Sequence, residues 1–247
     1  MLGILDWGIG GISIYKLVKE RLPDVPVVYF SDTGATPYGK MKRKELAARL
    51  DLVIEFLRSK GVTHLVIGCN AASTAIGDLG DHRIKIEGVI DAAVETAANA
   101  KPSRLGLIGG RRTVVSGVYR RAFGSKGIEL SQRVAQPLSG LIESGDVSSD
   151  KLKEEAKRIV TRIGRSSHIL LACTHYPAIE NVLKEFVSPG TRFIDPAKAV
   201  SARAAKWELA DSGEPDRFFT TGDAMQMKKS ARLAFGVKIA KVTSVKL

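Results

Sequence analysis

The chain has 247 residues, 44% of them hydrophobic, and its 38 Lys and Arg outnumber its 26 Asp and Glu to give a net charge of +12. This length and composition predict one large or two small globular domains and exclude a disordered or low-complexity chain. No apolar run approaches the roughly 18 residues that a membrane span needs, and "MLGILDWGIGG" lacks the features of a secretory signal. We therefore expect a cytoplasmic protein with no membrane partner.

The excess of basic residues has three interpretations. It could mark a nucleic-acid-binding protein, attract anionic small molecules, or form an ordinary solvated surface. Aromatic residues make up only 6% of the chain and do not interleave with the basic runs, as a stacking platform for bases would require. A solvated surface is the favoured interpretation, and a nucleic-acid partner is not expected.

Strand-like and helix-like segments alternate from the start of the chain. "LGILD" (2–6) predicts a strand, and the "GGISIYKLVKERL" that follows it predicts a helix. "VVYF" (27–30) is the next strand, residues 44–61 form an amphipathic helix ending at Gly61, and "HLVIGC" (64–69) is a third strand. This order with short connections indicates an α/β fold with a parallel sheet covered by helices.

The pattern then restarts about a hundred residues later. "RLGLIGG" (104–110) resembles the opening "MLGILDWG", and "HILLACT" (168–174) resembles "HLVIGCN" (64–70). Leu105 follows Leu2 by 103 residues, and Cys173 follows Cys69 by 104, so the offsets of two separate landmarks agree within one residue. The repeat predicts two similar parallel-sheet α/β domains related by a pseudo-twofold axis, with a cleft between them.

The only two cysteines, Cys69 and Cys173, occupy equivalent places in this repeat. Two thiols do not make a disulfide framework, and without C-x-x-C or H-x-x-x-H spacing no metal site is expected. A lone buried cysteine usually packs as a small hydrophobe. Packing, however, does not explain a cysteine repeated at the carboxyl ends of parallel strands, where ligands bind. There a thiol would face the start of a helix, which predicts a lowered thiol pKa.

Two thiols facing each other across a cleft could invert a carbon centre. One removes a proton from one face and the other returns a proton to the opposite face, and no cofactor is needed. Other polar residues follow the predicted strands, namely Asp6, Asp32, Tyr38, Asn70 and His175. Each has a plainer interpretation, such as a helix cap for Asp6, but their grouping around two thiols favours a site.

Four motifs carry a resemblance to a known family. They are "DWGIGG", "SDTGATPYG", "GCNAAS" and "CTHYP", and they resemble D-S-G-x-G-G, D-T-x-x-x-P-Y-G, A-C-N-T-A-S and C-T-H-Y-P of the cofactor-independent glutamate racemases, within the aspartate/glutamate racemase superfamily. "RRTVVSGVYRRAF" and "FFTTGD" also have counterparts, so the similarity runs nearly end to end.

The resemblance implies an isomerase that interconverts L- and D-glutamate by two-cysteine proton transfer and supplies D-glutamate for peptidoglycan synthesis. The implied catalytic set is Cys69, Cys173, Asp6, His175 and Glu143, the last placed by "PLSGLIESG". The implied substrate-binding residues are Asp6, Trp7, Tyr38, Gly39, Asn70, Ala71, Thr174 and His175. No metal or other cofactor is implied, and the ligand is a small amino acid.

The resemblance also implies a domain division. Residues 1–90 together with 198–247 would form the first domain and 91–197 the second, with the active site between them. Members of the family are often dimers, which leaves a homodimer open.

Two residues depart from the family pattern. Trp7 and Ala71 stand where the family has Ser and Thr, whose hydroxyls contact the substrate. Because a hydrogen bond to a charged group contributes about 1.5–3 kcal/mol, losing both would weaken glutamate binding by roughly 10²–10⁴-fold. The same chemistry on another substrate such as aspartate, or a non-catalytic role, therefore stays open.

A nucleotide-binding loop is a further alternative for "LGILDWGIGGIS". Ser13 breaks the G-x-G-x-x-G pattern, and Asp6 would repel a pyrophosphate. This interpretation is disfavoured.

Overall fold

The computed structural model describes residues 1–247 and contains ten strands and eleven α-helices. The strands are β1 (Leu2–Asp6), β2 (Val27–Ser31), β3 (His64–Ile67), β4 (Lys85–Gly88), β5 (Leu105–Gly109), β6 (Leu130–Val134), β7 (His168–Ala172), β8 (Arg192–Ile194), β9 (Arg217–Thr220) and β10 (Thr243–Ser244). The helices are α1 (Ile12–Arg21), α2 (Arg43–Ser59), α3 (Asn70–Ser73), α4 (Val89–Asn99), α5 (Arg111–Val115), α6 (Val118–Gly124), α7 (Gln136–Glu143), α8 (Asp150–Val160), α9 (Glu180–Lys184), α10 (Pro196–Ala204) and α11 (Ala224–Phe235), with 3₁₀ turns at Ile76–Asp78 and Tyr176–Ile179.

The strands form two separate, wholly parallel sheets. The first has the order β10-β9-β2-β1-β3-β4 and the second the order β6-β5-β7-β8. The four strands β2-β1-β3-β4 therefore have the same order as β6-β5-β7-β8. Their register agrees too, since Leu2 pairs with His64 in one sheet and Leu105 with His168 in the other. The prediction of two similar parallel-sheet α/β units is confirmed.

Both sheets are covered by helices on both faces, which is why their central strands are continuous apolar runs. All five residues of β1, of β2 and of β5 are buried. On the first sheet, apolar side chains of α1, α10 and α11 fill one face and those of α2 fill the other. On the second, α7, α8 and α9 pack on one face, while α4 and α6 pack on the other.

Helix α4 is shared by the two sheets. Its Val89 and Ala92 belong to the core of the first sheet, and Ala93 and Ala97 belong to that of the second. It also packs against α10. The predicted domain boundaries, after residues 90 and 197, fall within the first two residues of α4 and of α10. The division itself stays a prediction.

Several elements end earlier than the sequence pattern predicts. Strand β3 stops at Ile67 and β7 at Ala172, so both cysteines lie in the turns beyond the strands. Helix α2 stops at Ser59, and Gly61 beyond it has a φ of +87°, the left-handed conformation that glycine adopts readily. None of the helices is both long enough and apolar enough to cross a membrane.

Candidate active site

A cavity of about 270 Å³ lies where the carboxyl ends of the central strands of the two sheets meet. Ten of the eleven residues predicted for the site line it: Asp6, Trp7, Tyr38, Gly39, Cys69, Asn70, Ala71, Cys173, Thr174 and His175. The eleventh, Glu143, reaches the site by contacting His175. The two turns that carry the thiols thus face one enclosed space, one from each sheet.

The two thiols have different surroundings. Cys69 is buried, whereas Cys173 is partly exposed. Burial raises the pKa of the Cys69 thiol well above its ordinary value, and the neighbouring Asp6 carboxylate raises it further. The expectation that a helix start lowers this pKa is wrong for Cys69. Helix α3 is a single turn of four residues, so its backbone dipoles do not outweigh burial beside an acid.

Asp6 connects the end of β1 to the turn that carries Cys173. Its carboxylate accepts hydrogen bonds from the Trp7 backbone N–H (2.6 Å) and from Thr174 Oγ1 (2.9 Å). Burial raises the pKa of Asp6, and the positive charge of a nearby protonated His175 opposes that rise. The carboxylate does not cap α1, whose first turn has no side-chain cap. Asp6 therefore lines the cavity and adjoins both thiol-bearing turns.

A chain of three side chains ends at Cys173. His175 Nδ1 lies 3.6 Å from the Cys173 sulfur, and His175 Nε2 lies 2.6 Å from Glu143 Oε2. Glu143 Oε2 also accepts from the Ile9 backbone N–H at 2.9 Å. Burial works to lower the pKa of His175, but Cys173 and Glu143 outweigh it and raise that pKa well above its usual value. The imidazole is thus held ready to donate toward the Cys173 sulfur.

The glycine loop after β1 is filled by protein groups. Ile9 N–H already donates to Glu143, and a Cβ at Gly10 would lie 2.5 Å from Thr174 Oγ1. This is the loop that the nucleotide-binding alternative would use for a pyrophosphate. Because an acid from the second sheet occupies it, the geometry gives that alternative no support.

Asn70 offers an unpaired donor to the cavity. Its side chain is 2% exposed, and its Oδ1 accepts from the Tyr119 hydroxyl at 2.7 Å. Its Nδ2 is buried without a hydrogen-bond partner in the protein. Buried polar groups are nearly always paired, so this amide is suited to a ligand acceptor. Tyr119, which orients the amide, was not predicted from the sequence.

Tyr38 forms a wall of the cavity, but its hydroxyl is directed elsewhere. It donates to Asp32 Oδ2 at 2.8 Å, and Asp32 is also held by Arg49 at 2.6 and 2.8 Å. Asp32 does not line the cavity. Its role in this arrangement is to fix the position of Tyr38 and the turn that follows.

The two departures from the family motifs make part of the cavity wall apolar. The Trp7 indole N–H donates to the Ala35 carbonyl at 3.2 Å, so it is not available to a ligand. Trp7 and Ala71 both pack against the core of the first sheet. At these two positions the cavity presents an aromatic ring and a methyl group.

Ten further lining residues were not predicted as part of the site: Pro37, Lys40, Gly110, Arg111, Arg112, Thr113, Gln136, Ser139, Gly140 and Ala172. The repeat contained a signal for several of them, because residues 109–113 correspond to residues 6–10 at an offset of 103.

No group of three or more His, Cys, Asp or Glu side chains is arranged to hold a metal ion.

Comparisons with known proteins agree on one family. The profile of the family described as Asp/Glu/Hydantoin racemase matches residues 2–204. Glutamate racemase 2 of Caldanaerobacter subterraneus subsp. tengcongensis is 30% identical over 252 residues, covering 98% of this chain and 95% of the relative. Glutamate racemase of Aquifex aeolicus is 29% identical over 249 residues, covering 98% and 97%. The crystal structure of glutamate racemase RacE1 from Bacillus anthracis superposes with a TM-score of 0.90 at 25% identity, covering 100% of this chain and 97% of that one.

Proposed function

We propose that this chain, which belongs to the Asp/Glu/hydantoin racemase family, interconverts L- and D-glutamate. The reaction would move protons between Cα of the substrate and two cysteine thiols. Family membership makes the protein an isomerase, a racemase. The observation that carries the two-thiol mechanism is that Cys69 and Cys173 line one cavity from two different sheets. A proton donor and a proton acceptor can then stand on opposite sides of one carbon.

In the proposed step, the sulfur of one cysteine takes the proton from Cα and the electron pair of the broken C–H bond stays on the substrate. The other cysteine delivers its own proton to the opposite face of the same carbon. The substrate leaves inverted, and the two cysteines have exchanged their protonation states. No external oxidant or reductant enters this balance.

The surroundings of the two sulfurs support different roles for Cys69 and Cys173 before the reaction begins. Burial and the Asp6 carboxylate keep Cys69 as the neutral thiol, because both raise its pKa. His175 Nδ1 lies 3.6 Å from the Cys173 sulfur, so a protonated imidazole can donate a hydrogen bond to the sulfur that abstracts the proton. Cys173 would therefore act first on the enantiomer whose Cα–H faces it, and Cys69 would supply the returning proton.

The substrate's α-carboxylate must be held while negative charge develops beside it. The unpaired Nδ2 of Asn70 is a preorganised donor for that group, and Tyr119 keeps it oriented. Asp6, which also lines the cavity, would interact with the α-ammonium group. The product D-glutamate would feed peptidoglycan synthesis in the cytoplasm, and a homodimer stays a prediction.

The test is proton NMR of L-glutamate and then D-glutamate with the enzyme in D₂O under reducing conditions. The Cα–H signal reports proton abstraction even when net racemisation is slow. We expect loss of this signal with wild type, and a fall of about 10²–10⁴-fold in racemisation rate for Cys69→Ser and for Cys173→Ser.

A panel with L- and D-aspartate separates the substrate from the chemistry. Exchange of aspartate without exchange of glutamate would reassign the substrate and keep the mechanism. Full activity in either serine variant would contradict the two-thiol mechanism. A Cα–H signal that persists with every amino acid tested would contradict the enzymatic proposal.

A further inference from the structure

Two cationic side chains at the mouth of the cavity have no part in the proposed proton transfer. Lys40 follows the Tyr38-Gly39 turn of the first sheet, and Arg111 is the first residue of α5 beside the second sheet. Both line the cavity and both are exposed. Neither side chain forms a hydrogen bond or an ion pair with the rest of the chain, so both charges are free for a ligand.

The Gln136 side chain brings these two residues to the same part of the mouth. Its Oε1 accepts from the Arg111 backbone N–H at 3.1 Å. A Cβ placed on Gly39, the residue before Lys40, would lie 3.4 Å from that same oxygen. The backbone segments of Lys40 and Arg111 thus flank one amide oxygen, although they belong to opposite sheets.

The third cation at the cavity is already engaged. Arg112 donates from Nε to Thr74 Oγ1 at 2.9 Å and from Nη1 to the Met41 carbonyl at 2.7 Å. The walls at Trp7 and Ala71 are apolar. Of the Lys and Arg side chains that line the cavity, only Lys40 and Arg111 are therefore free to pair with a second negative group on a ligand.

We propose that Lys40 and Arg111 bind the side-chain carboxylate of a dicarboxylic amino acid and set the preference for acidic over neutral substrates. This inference rests on the proposed function for the substrate class. A guanidinium matches a carboxylate with two parallel N–H donors, and an ammonium adds a compact charge on its other side. Lys40 and Arg111 thus supply the donors for this carboxylate, because the cavity wall at Trp7 and Ala71 offers none.

A second feature supports this assignment. Arg43 and Arg121 line a basic pocket just outside the mouth, and Arg111 and Arg112 belong to both spaces. Clustered like charges raise the local concentration of an oppositely charged ligand. An anionic substrate would therefore be drawn toward the position where Lys40 and Arg111 hold it.

The test compares Arg111→Met and Lys40→Met with Arg120→Met, which removes the same charge from an exposed position on α6 away from the cavity. Calorimetry measures the dissociation constants of glutarate, a five-carbon diacid, and of pentanoate, its monoacid counterpart. We expect each mouth variant to bind glutarate about 10- to 100-fold more weakly, with pentanoate binding unchanged. The KM for glutamate should rise by a similar factor, with a smaller change in kcat.

The outcomes separate this inference from the proposed function. Wild-type glutarate affinity in both mouth variants, or an equal loss in Arg120→Met, would overturn the carboxylate site. If glutamate exchange then persists with an unchanged KM, the racemase function stands without the site. If glutarate binding depends on the pair but glutamate is not exchanged, the site stands and the function fails. A wild type that neither binds glutarate nor exchanges glutamate overturns both.

Discussion

Glu143 illustrates how one side chain can act on the chemistry without reaching the substrate. Its Oε2 contacts both His175 Nε2 and the Ile9 N–H, so it joins the second sheet's histidine to the first sheet's glycine loop. It raises the pKa of His175, together with the larger effect of Cys173. In the proposed mechanism, Glu143 would be a positioning residue that keeps the imidazole protonated beside Cys173.

We predict that Glu143→Gln shifts the basic limb of the pH–rate profile to lower pH and lowers kcat about 10- to 100-fold. The glutamine still accepts from His175 but removes the negative charge, so the pKa of His175 falls. The measurement is kcat and kcat/KM from pH 6 to 10. Glu154→Gln makes the same chemical change at an exposed position on α8 and serves as control. An unchanged profile in Glu143→Gln would remove the assigned role.

The contact between Glu143 and His175 also makes the folding stability depend on pH in a defined direction. The pKa of His175 is raised in the folded state above about 6.5, its unfolded value, so the folded protein holds a proton that the unfolded chain releases. This stabilisation is complete below the unfolded pKa and is lost as pH rises through the folded one. The stability of Glu143→Gln should therefore fall less steeply with pH above about 7 than that of the wild type.

At the scale of whole elements, the two crossings between the sheets depend on α4 and α10. Asp195 is the N-cap of α10: its side chain accepts a hydrogen bond from the Ala197 backbone N–H, and Pro196 occupies the first helical position. Arg203 near its end donates to Glu87 at 2.7 Å and also contacts Glu95 of α4. These contacts hold α10 against β4 and α4 where the chain returns to the first sheet.

We predict that Asp195→Asn raises the free energy of unfolding by about 1–3 kcal/mol at pH 7.5 and by little at pH 4. Burial raises the pKa of Asp195 to about 6, so the folded state keeps a proton that the unfolded chain loses near pH 4. The stability of the wild type therefore falls between pH 4 and pH 6, and asparagine, also a good cap, avoids that fall.

Urea denaturation at the two pH values measures this difference. Asp223→Asn at the exposed N-cap of α11 tests the exchange at a cap that is not buried. A gain in Asp195→Asn that is the same at both pH values would contradict the explanation by burial.

The fold class and the places of the two cysteines could be predicted from the sequence, whereas contacts between distant segments could not. The repeated strands gave the fold class and led to both cysteines, because apolar runs and turn positions are local patterns. The raised pKa of Cys69 could not be found this way, since it depends on the burial of the thiol and on Asp6 lying next to it. The Trp7 orientation depends on a carbonyl 28 residues away. Lys40 and Arg111 look like ordinary surface residues in a chain with 38 basic residues.

At the scale of the whole molecule, Arg112 joins the two halves across the cavity. It lies on α5 beside the second sheet, and its partners Thr74 and Met41 belong to the turns of the first. A guanidinium that donates in two directions at once cannot be replaced by an amine without losing this geometry. The width of the cavity therefore depends on Arg112 as well as on the packing of α4.

We predict that Arg112→Met speeds amide hydrogen exchange in residues 39–43 and 70–75 and lowers kcat/KM about tenfold. Removing the bridge lets the turns of the first sheet move away from α5, which widens the cavity. Exchange followed by mass spectrometry, with a urea midpoint for each variant, measures this effect. Arg121→Met is the control, since Arg121 donates to Ser116 within its own half. Equal exchange in all three proteins would rule out the bridge.

The strand order of the larger sheet has a consequence for how the protein is made. β9 pairs with β2, so the edge of β2 stays open until residues 217–220 have left the ribosome. The smaller sheet lies within residues 105–194, so its strands can pair while the edge of β2 is still unpaired. An open strand edge is a template for pairing with another chain, so the nascent protein is most exposed to aggregation during this interval. The sheet whose strands are translated first is therefore the sheet whose pairing is completed last.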